Sequence, residues 1–316
     1  MTGPRLQERI PTAWALWKMV RPSQVLLVAA VYALGVLIAL GRGAALDTRA
    51  VGAGFVALIP VTAAIHYANE YADYHIDRVT ERTPFSGGSG ALHETGLPRR
   101  LAGVATAVSV AVAAIGMGGV LSLEALPRTA LVLLGVGLVG GLQYSLPPLS
   151  LAWHGIGELD NALLGGLLLP CYGAATLDAL DWGVVLAVLP FALLVFVNLL
   201  ETQWPDRYAD ADHGRDTLAV QWSTRRLRAA YTLTAAAAFV LTFALGEGLP
   251  PEIGPSILPP LVVYATLPAL PLFVWGSLRF TNREAPFPAV VGMVIVGVGQ
   301  LLAWAVVTDL LAVPLS

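Results

Sequence analysis

The sequence is poor in charged residues, in lysine and in cysteine. Only 12% of its 316 residues are charged, whereas an average globular protein has about 25%. The single cysteine, Cys171, excludes an intrachain disulfide. A net charge of −3 gives no general attraction to nucleic acid, so we expect no nucleic-acid partner. With 56% hydrophobic residues and a mean hydropathy of +0.71, the chain is expected to be a membrane protein.

Nine apolar runs are long enough to cross a lipid bilayer. They cover about 24–41, 50–69, 101–122, 129–146, 159–177, 182–201, 229–246, 255–276 and 287–308. The connections between them are short, and none has the composition of a linker between soluble domains. We therefore expect one domain, residues 1–316. The predicted fold class is all-α, a polytopic membrane protein with about nine transmembrane helices around a central cavity.

The basic residues favour one orientation in the membrane. The first run follows several of them and could be a signal peptide, but eight further runs come after it, so we expect it to remain as the first membrane helix. If the amino terminus is cytoplasmic, 15 of the 18 basic residues fall on the cytoplasmic side, as the positive-inside rule requires. We expect the amino terminus and the polar loops described next to be cytoplasmic.

An acidic motif ends the second apolar run. Asn69, Asp73 and Asp77 follow the pattern N-x-x-x-D-x-x-x-D. Residues four apart lie on one face of a helix, so the three side chains are predicted to form a row.

A second acidic motif ends the sixth run. Asn198, Thr202, Asp206 and Asp210 are again four apart, with Pro205 interrupting them. We expect the helix to kink or stop near Trp204 and to restart with Pro205 in its first turn.

Two rows of carboxylates at membrane helix ends require a compensating cation. Like charges four apart repel, and carboxylate and amide oxygens are ligands suited to Mg²⁺. We interpret Asp73, Asp77, Asp206 and Asp210 as catalytic residues that bind Mg²⁺ together with Asn69. Two rows facing each other could hold a diphosphate through two ions. Substrate contacts are expected from Asn198 and from four nearby arginines, namely Arg78, Arg82, Arg207 and Arg215. The alternative is that both rows are solvated polar helix ends.

Both motifs resemble those of the UbiA superfamily of membrane prenyltransferases. That family has nine membrane helices, one N-x-x-x-D-x-x-x-D motif after helix two and one D-x-x-x-D motif after helix six. The resemblance implies a UbiA-like fold in a bacterial or archaeal cell membrane. It also implies Mg²⁺ held by the two motifs, an isoprenyl diphosphate donor and an acceptor whose electron-rich carbon attacks an allylic cation. Loss of diphosphate produces that cation.

Three other segments resemble the branch that prenylates 1,4-dihydroxy-2-naphthoate on the way to menaquinone. They are Gly214–Val220, Tyr144–Pro148 and Trp153–Glu158. In the third segment His154 replaces the usual arginine, which leaves the recognition of an acceptor carboxylate open. Other acceptors in the superfamily include 4-hydroxybenzoate, homogentisate and lipids.

Several further residues are candidates for substrate contacts. His66 lies on the face of Asn69 and could contact the acceptor, although a buried structural histidine fits equally well. Arg21 could line the cavity or serve as an interfacial anchor. Tyr144 is the aromatic residue most suited to stabilising an allylic cation through its ring. The glycine-rich segment 83–90 could present backbone N–H groups to a phosphate.

Two other functions are compatible with a polar membrane protein of this kind. A secondary transporter also carries charged residues within its helices, but the acids here cluster at helix ends instead of at the membrane midplane. A noncatalytic prenyl-lipid-binding protein is the second alternative, and the intact acidic rows disfavour it.

Overall fold

The computed structural model describes residues 10–78, 88–246, 256–283 and 285–310. Arg82 and most of the glycine-rich segment, residues 83–87, lie outside these ranges. The described residues contain helices and no strand, which confirms the all-α class.

Nine helical regions follow the order of the nine apolar runs. They are α1 (Pro22–Gly41), α2 (Thr48–Ala72), α3 (Arg100–Ser122), α4 (Arg128–Ser145), α5 (157–175), α6 (Trp182–Gln203), α7 (Thr224–Gly246), α8 (Pro260–Asn282) and α9 (Phe287–Val307). Short helices flank them at Pro11–Met19, Tyr74–Asp77, Ala91–Thr95, Arg207–Asp212 and Leu218–Gln221, and a 3₁₀ turn lies at Leu151–Trp153.

Within the described ranges, seven helices are long and apolar enough to span a membrane, with α1 counted together with the preceding short helix. The remaining two regions are weaker candidates. Helix α4 has only 18 residues, with Arg128 at its start and Gln143 near its end. Region α5 is divided into an α-helical turn, a π-helical segment Ala162–Leu168 and a final helix. The predicted count of nine is therefore approximate.

Capping side chains and prolines explain where the helices begin. Asp47 accepts hydrogen bonds from the backbone N–H groups of Arg49 and Ala50 at the start of α2, at 2.9 and 3.0 Å. Asp181 accepts from Val184 N–H at 2.7 Å at the start of α6. Both side chains satisfy donors that have no partner within the helix.

The helices pack in a closed arrangement that brings distant segments together. Helix α2 packs against α3 and α4, α5 joins α4 to α6, and α6 packs against α7. Helix α9 contacts α1, α6 and α8. Large apolar side chains cover the outside, where Leu26, Ile115 and Leu233 have exposed fractions of 72, 75 and 70%. Such an outer surface is suited to lipid, and the protein is an integral membrane protein.

The two acidic motifs lie where α2 and α6 end, and we call this end of the bundle the acidic end. Helix α2 finishes at Ala72, but backbone hydrogen bonds of 2.9 Å from Asp73 N–H to Asn69 and from Asp77 N–H to Asp73 continue the helical register. Helix α6 stops at Gln203, near the expected point, and a helix restarts at Arg207. The prediction that Pro205 lies in the first turn of that second helix was wrong, because Pro205 and Asp206 form the turn before it.

Candidate active site

A single arginine links the two acidic motifs. Arg215 Nη1 lies 3.5 Å from Asp73 Oδ2 and 3.7 Å from Asp210 Oδ1. Both carboxylates are buried, with exposed fractions of 6 and 2%. Residues that are far apart in the sequence therefore share one guanidinium group, and the two predicted rows face one another.

The loop before α5, which includes the predicted segment Trp153–Glu158, holds this arginine in place. Arg215 Nε donates to the Ala152 carbonyl at 3.3 Å, and Asp216 N–H donates to the Trp153 carbonyl at 3.1 Å. Glu158 Oε1 accepts from Leu218 N–H at 2.7 Å. The loop before α5 and the segment after the second motif thus form one support for Arg215.

Asn69 is oriented by two neighbours. Its Nδ2 donates to Asp73 Oδ2 at 3.0 Å, and its Oδ1 accepts from Arg21 Nη2 at 2.9 Å. Ser145 Oγ, at the end of α4, lies 3.4 Å from Asn69 Nδ2. The oxygen that was predicted to bind a metal is engaged by Arg21 in this conformation.

Glu70 is a buried acid that the sequence analysis did not select. Its exposed fraction is 4%. Glu70 Oε1 accepts from Arg21 Nη2 at 2.6 Å and from Ser89 N–H at 2.8 Å, while Oε2 accepts from Ser89 Oγ at 2.7 Å. Glu70 on α2 therefore binds two separate segments. One is Arg21, just before α1, and the other is Ser89, at the end of the glycine-rich segment. The feature of the sequence that could have identified Glu70 is the presence of an acid in the last turns of an apolar helix.

Gly88 brings the returning loop directly against the first motif. Its φ of +61° is a left-handed conformation, and a Cβ atom at this position would overlap the Asp77 carboxylate. The described end of the glycine-rich segment therefore covers Asp77.

Two carboxyl groups of the acidic end have raised pKa values. Burial raises the pKa of Asp77 to about 7, and the charges of Asp73 and Glu70 add to this rise. Burial also raises the pKa of Asp210 to about 6, although Arg215 opposes the shift. Both carboxyl groups lie in the short helices beyond α2 and α6. Their negative charges would be stabilised by a cation.

The five predicted metal ligands do not form a ready metal cage. In the part of the chain that the structure describes, no group of three or more His, Cys, Asp or Glu side chains could hold one ion. Mg²⁺, however, commonly binds through one or two carboxylates plus substrate phosphates and water. Crowded carboxylate oxygens from two facing segments fit that mode of binding, with Arg215 between them before a ligand arrives.

The remaining predicted residues fall into two groups. The charges of Arg215 and Asp73 act on Tyr144, which places Tyr144 near the acidic end. The buried Oδ1 of Asn198 on α6 has no hydrogen-bond partner among the residues that the structure describes. His66 Nδ1 lies 2.5 Å from the Val20 carbonyl, a contact that supports the structural role instead of acceptor binding.

Of three further predicted substrate residues, Arg207 is partly buried, whereas Arg78 and His154 are exposed. Arg207 stacks on Trp204 and Tyr208, at 3.8 and 4.2 Å from the ring centroids. Arg78 is exposed. His154 is also exposed, with Nδ1 2.9 Å from the Ser150 carbonyl, so the structure does not bring it to the cluster.

Fold and site together define an integral membrane protein of the all-α class with a buried cluster of carboxylates and arginine at one end of the bundle. The model of the UbiA prenyltransferase family matches residues 26–280. The chain belongs to this family, and it is a prenyltransferase.

Solved structures show the same fold at low sequence identity. A UbiA homologue from Archaeoglobus fulgidus, bound to GPP and Mg²⁺, is 16% identical, with a TM-score of 0.61 over 93% of this chain and 99% of that chain. A digeranylgeranylglyceryl phosphate synthase is 17% identical, with a TM-score of 0.66 over 93% and 98%. A UbiA homologue from Aeropyrum pernix K1 is 18% identical, with a TM-score of 0.60 over 87% and 97%. No curated protein sequence matches the chain.

Proposed function

We propose that this protein transfers a polyprenyl group from an isoprenyl diphosphate to an aromatic acceptor, 1,4-dihydroxy-2-naphthoate, in the membrane. The observation that carries the proposal is the placement of Arg215 between Asp73 and Asp210. Two buried acidic segments that share one guanidinium are suited to a polyanion bound with cations. The homologue from Archaeoglobus fulgidus, which binds GPP and Mg²⁺, supports the same donor and metal here.

Asp73, Asp77, Asp206 and Asp210 would hold Mg²⁺ at the acidic end. When bound, Mg²⁺ supplies Lewis-acid stabilisation of the charge that develops on the departing diphosphate. Arg215 exchanges its carboxylate partners for phosphate oxygens, because its guanidinium already lies between the two rows. The orientation with this end in the cytoplasm follows from the distribution of basic residues and gives a water-soluble diphosphate access to the site.

The prenyl transfer itself requires a dry, apolar environment. The C1–O bond of the donor breaks and its electron pair leaves with the diphosphate. A ring carbon of the acceptor then forms the new C–C bond, its C–H bond breaks, and the released diphosphate takes up the proton. Tyr144, on which the charges of Arg215 and Asp73 act, would stabilise the allylic cation with the face of its ring. The surrounding apolar helices exclude water, which would otherwise capture the cation.

The acceptor is assigned from the segments that resemble the dihydroxynaphthoate branch. Two of these segments are joined to each other, because the Trp153 carbonyl accepts from Asp216 N–H and Glu158 Oε1 accepts from Leu218 N–H, next to Arg215. Because His154 is exposed and bonded within its own loop, we do not assign recognition of the acceptor carboxylate to it. Alternative acceptors are 4-hydroxybenzoate, homogentisate and a glycerol-phosphate lipid.

The test is prenyl transfer by purified protein in lipid vesicles. Radiolabelled farnesyl or geranylgeranyl diphosphate is supplied with Mg²⁺ and each acceptor in turn. We expect a labelled product with dihydroxynaphthoate and loss of product in Asp73→Asn and Asp210→Asn, while Asp178→Asn, an exposed acid beyond the far end of α5, retains activity. Product with another acceptor alone would overturn the assignment of the acceptor. No product with any acceptor, from folded protein, would overturn the proposed enzyme activity.

A further inference from the structure

A cavity opens on the side of the bundle. It has a volume of about 570 Å³ and lies between the last turn of α2, the first two turns of α3 and the end of α4. Its lining includes Tyr71, Arg99, Arg100, Val104, Ala107 and Leu146. We call it the lateral pocket. None of the residues assigned to catalysis lines it.

Two adjacent arginines form the polar side of the lateral pocket. Arg99 is held against α2, because its Nε donates to the Tyr71 carbonyl at 2.6 Å and its guanidinium lies 3.9 Å from the Tyr71 ring centroid. Arg100 is exposed. Neither guanidinium pairs with a carboxylate among the residues that the structure describes. Within the described ranges, the pocket therefore presents two cationic groups without an anionic partner.

The other side of the lateral pocket is apolar and continues along the outside of α3. Below Val104, this helix exposes Val108, Val112 and Ile115, with exposed fractions between 52 and 75%. Counted from Val104, these residues follow at spacings of four, four and three, which places all of them on one face of the helix. Only 17% of the most apolar window of α3 is buried, the smallest share among the seven candidate spans. An apolar strip thus leads from the arginines into the membrane.

We propose that the lateral pocket binds an anionic phospholipid, with its phosphate at Arg99 and Arg100 and an acyl chain along Val104, Val108 and Ile115. Guanidinium groups bind phosphate oxygens in a forked geometry. The apolar strip distinguishes a lipid from free phosphate, which would use only the cationic half. This site is separate from the proposed donor site and does not depend on the proposed reaction.

Binding here would also support the acidic end. Arg99 holds the carbonyl of Tyr71, which lies two residues before Asp73 in the chain. A lipid phosphate that fixes Arg99 therefore fixes the last turn of α2. We expect bound anionic lipid to raise the thermal unfolding temperature even in the absence of donor and acceptor.

Native mass spectrometry of the detergent-solubilised protein tests the site. The protein is titrated with phosphatidylglycerol, with phosphatidylcholine and with inorganic phosphate. We expect the unaltered protein to retain phosphatidylglycerol preferentially. In Arg99→Gln/Arg100→Gln, the affinity for phosphatidylglycerol should fall about fivefold for each arginine removed, because a basic residue near the membrane surface contributes about 1 kcal/mol. The matched control is Arg225→Gln/Arg226→Gln, which removes two exposed adjacent arginines from the start of α7.

A second variant keeps the proposal testable if the loss of Arg99 prevents folding. Ala107→Trp fills the pocket from an exposed position on α3 and leaves both arginines in place. We expect it to lower phosphatidylglycerol retention as well. Equal losses in the control pair, or no preference over phosphatidylcholine, would show only general interfacial attraction and overturn the proposal. Retention of inorganic phosphate with equal affinity, or displacement of the lipid by dihydroxynaphthoate, would also overturn it.

Discussion

Arg215 Nη1 lies 3.5 Å from Asp73 Oδ2. A residue that follows the second acidic motif in the chain therefore forms an ion pair with an aspartate of the first acidic motif. Asp73 is buried and the Arg215 side chain is only 15% exposed. The same Arg215 nitrogen lies 3.7 Å from Asp210 Oδ1. This contact partly balances a cluster of acids whose pKa values are raised by burial. It also places a guanidinium where a diphosphate bound between the motifs would need a hydrogen-bond donor.

Arg215→Gln is expected to lower kcat/KM for the isoprenyl diphosphate about 100-fold, the scale seen when one donor to a developing negative charge is removed. Arg215→Lys should recover part of the loss, because it restores the charge without the forked geometry. Diphosphate release measured against donor concentration checks both variants. Arg225→Gln serves as the control, since Arg225 is an exposed arginine of the same end. Wild-type kcat/KM in Arg215→Gln would contradict the assigned role.

The contact between Glu70 and Ser89 is expected to hold the loop against α2. Ser89→Ala should cost about 1 kcal/mol of stability, the usual value of one hydrogen bond. Glu70→Gln should cost more, about 3 kcal/mol, because it leaves the partly buried Arg21 without its counter-charge. Thermal unfolding in detergent gives the ranking, and the KM for the donor should rise in both variants.

Ser122→Ala is the matched control for Ser89→Ala. Ser122 also donates to an oxygen, the Gly118 carbonyl at 2.8 Å, but it is exposed at the far end of α3. If the two serine variants lose the same stability, or if the donor KM stays unchanged in Glu70→Gln, the loop is not held by this contact.

Gly88→Ala is predicted to disturb the first acidic motif directly. The substitution adds a Cβ that overlaps the Asp77 carboxylate, at a backbone with φ of +61°. Gly96→Ala is a close control, because Gly96 has a similar φ of +67° and open space where its Cβ would be. Each variant should lose about 1 kcal/mol from the left-handed backbone. Only Gly88→Ala should weaken Mg²⁺ activation, measured as the Mg²⁺ concentration that gives half-maximal turnover. Equal Mg²⁺ dependence in both would refute the role assigned to the Gly88 contact.

Much of this arrangement could be predicted from local spacing. The four-residue period of Asn69, Asp73 and Asp77 indicates a row on a helix, because that period is a property of the helix itself. The break near Trp204 follows from Pro205, although the position of the restart does not. Glu70 was missed, because its role depends on a loop that folds back to place Ser89 beside it, and no periodicity records such a contact.

The same limit applies to residues whose role depends on side-chain direction. His154 occupies a position where the resemblance suggested a contact with the acceptor, but its ring nitrogen contacts the Ser150 carbonyl four residues earlier. Arg215 shows the opposite case. It was selected only as a nearby arginine, and its central position arises from the carbonyls of a loop that precedes it by about 60 residues.

Glu201 and Tyr231 form a buried pair that we expect to stabilise the fold without taking part in the reaction. Glu201 is 2% exposed and accepts from Tyr231 Oη at 3.0 Å. Gly276 of α8 packs so closely that a Cβ there would overlap the Tyr231 hydroxyl.

Tyr231→Phe removes the hydroxyl that donates to the Glu201 carboxyl and should cost about 1 to 3 kcal/mol of stability. Tyr231→Phe/Glu201→Leu should recover much of this loss, because removing both polar partners removes the desolvation penalty. Thermal unfolding measures these effects, with Tyr208→Phe as a control at a tyrosine that is 70% exposed. If the double variant is less stable than Tyr231→Phe, or if prenyl transfer disappears from stable variants, the pair has a role beyond packing.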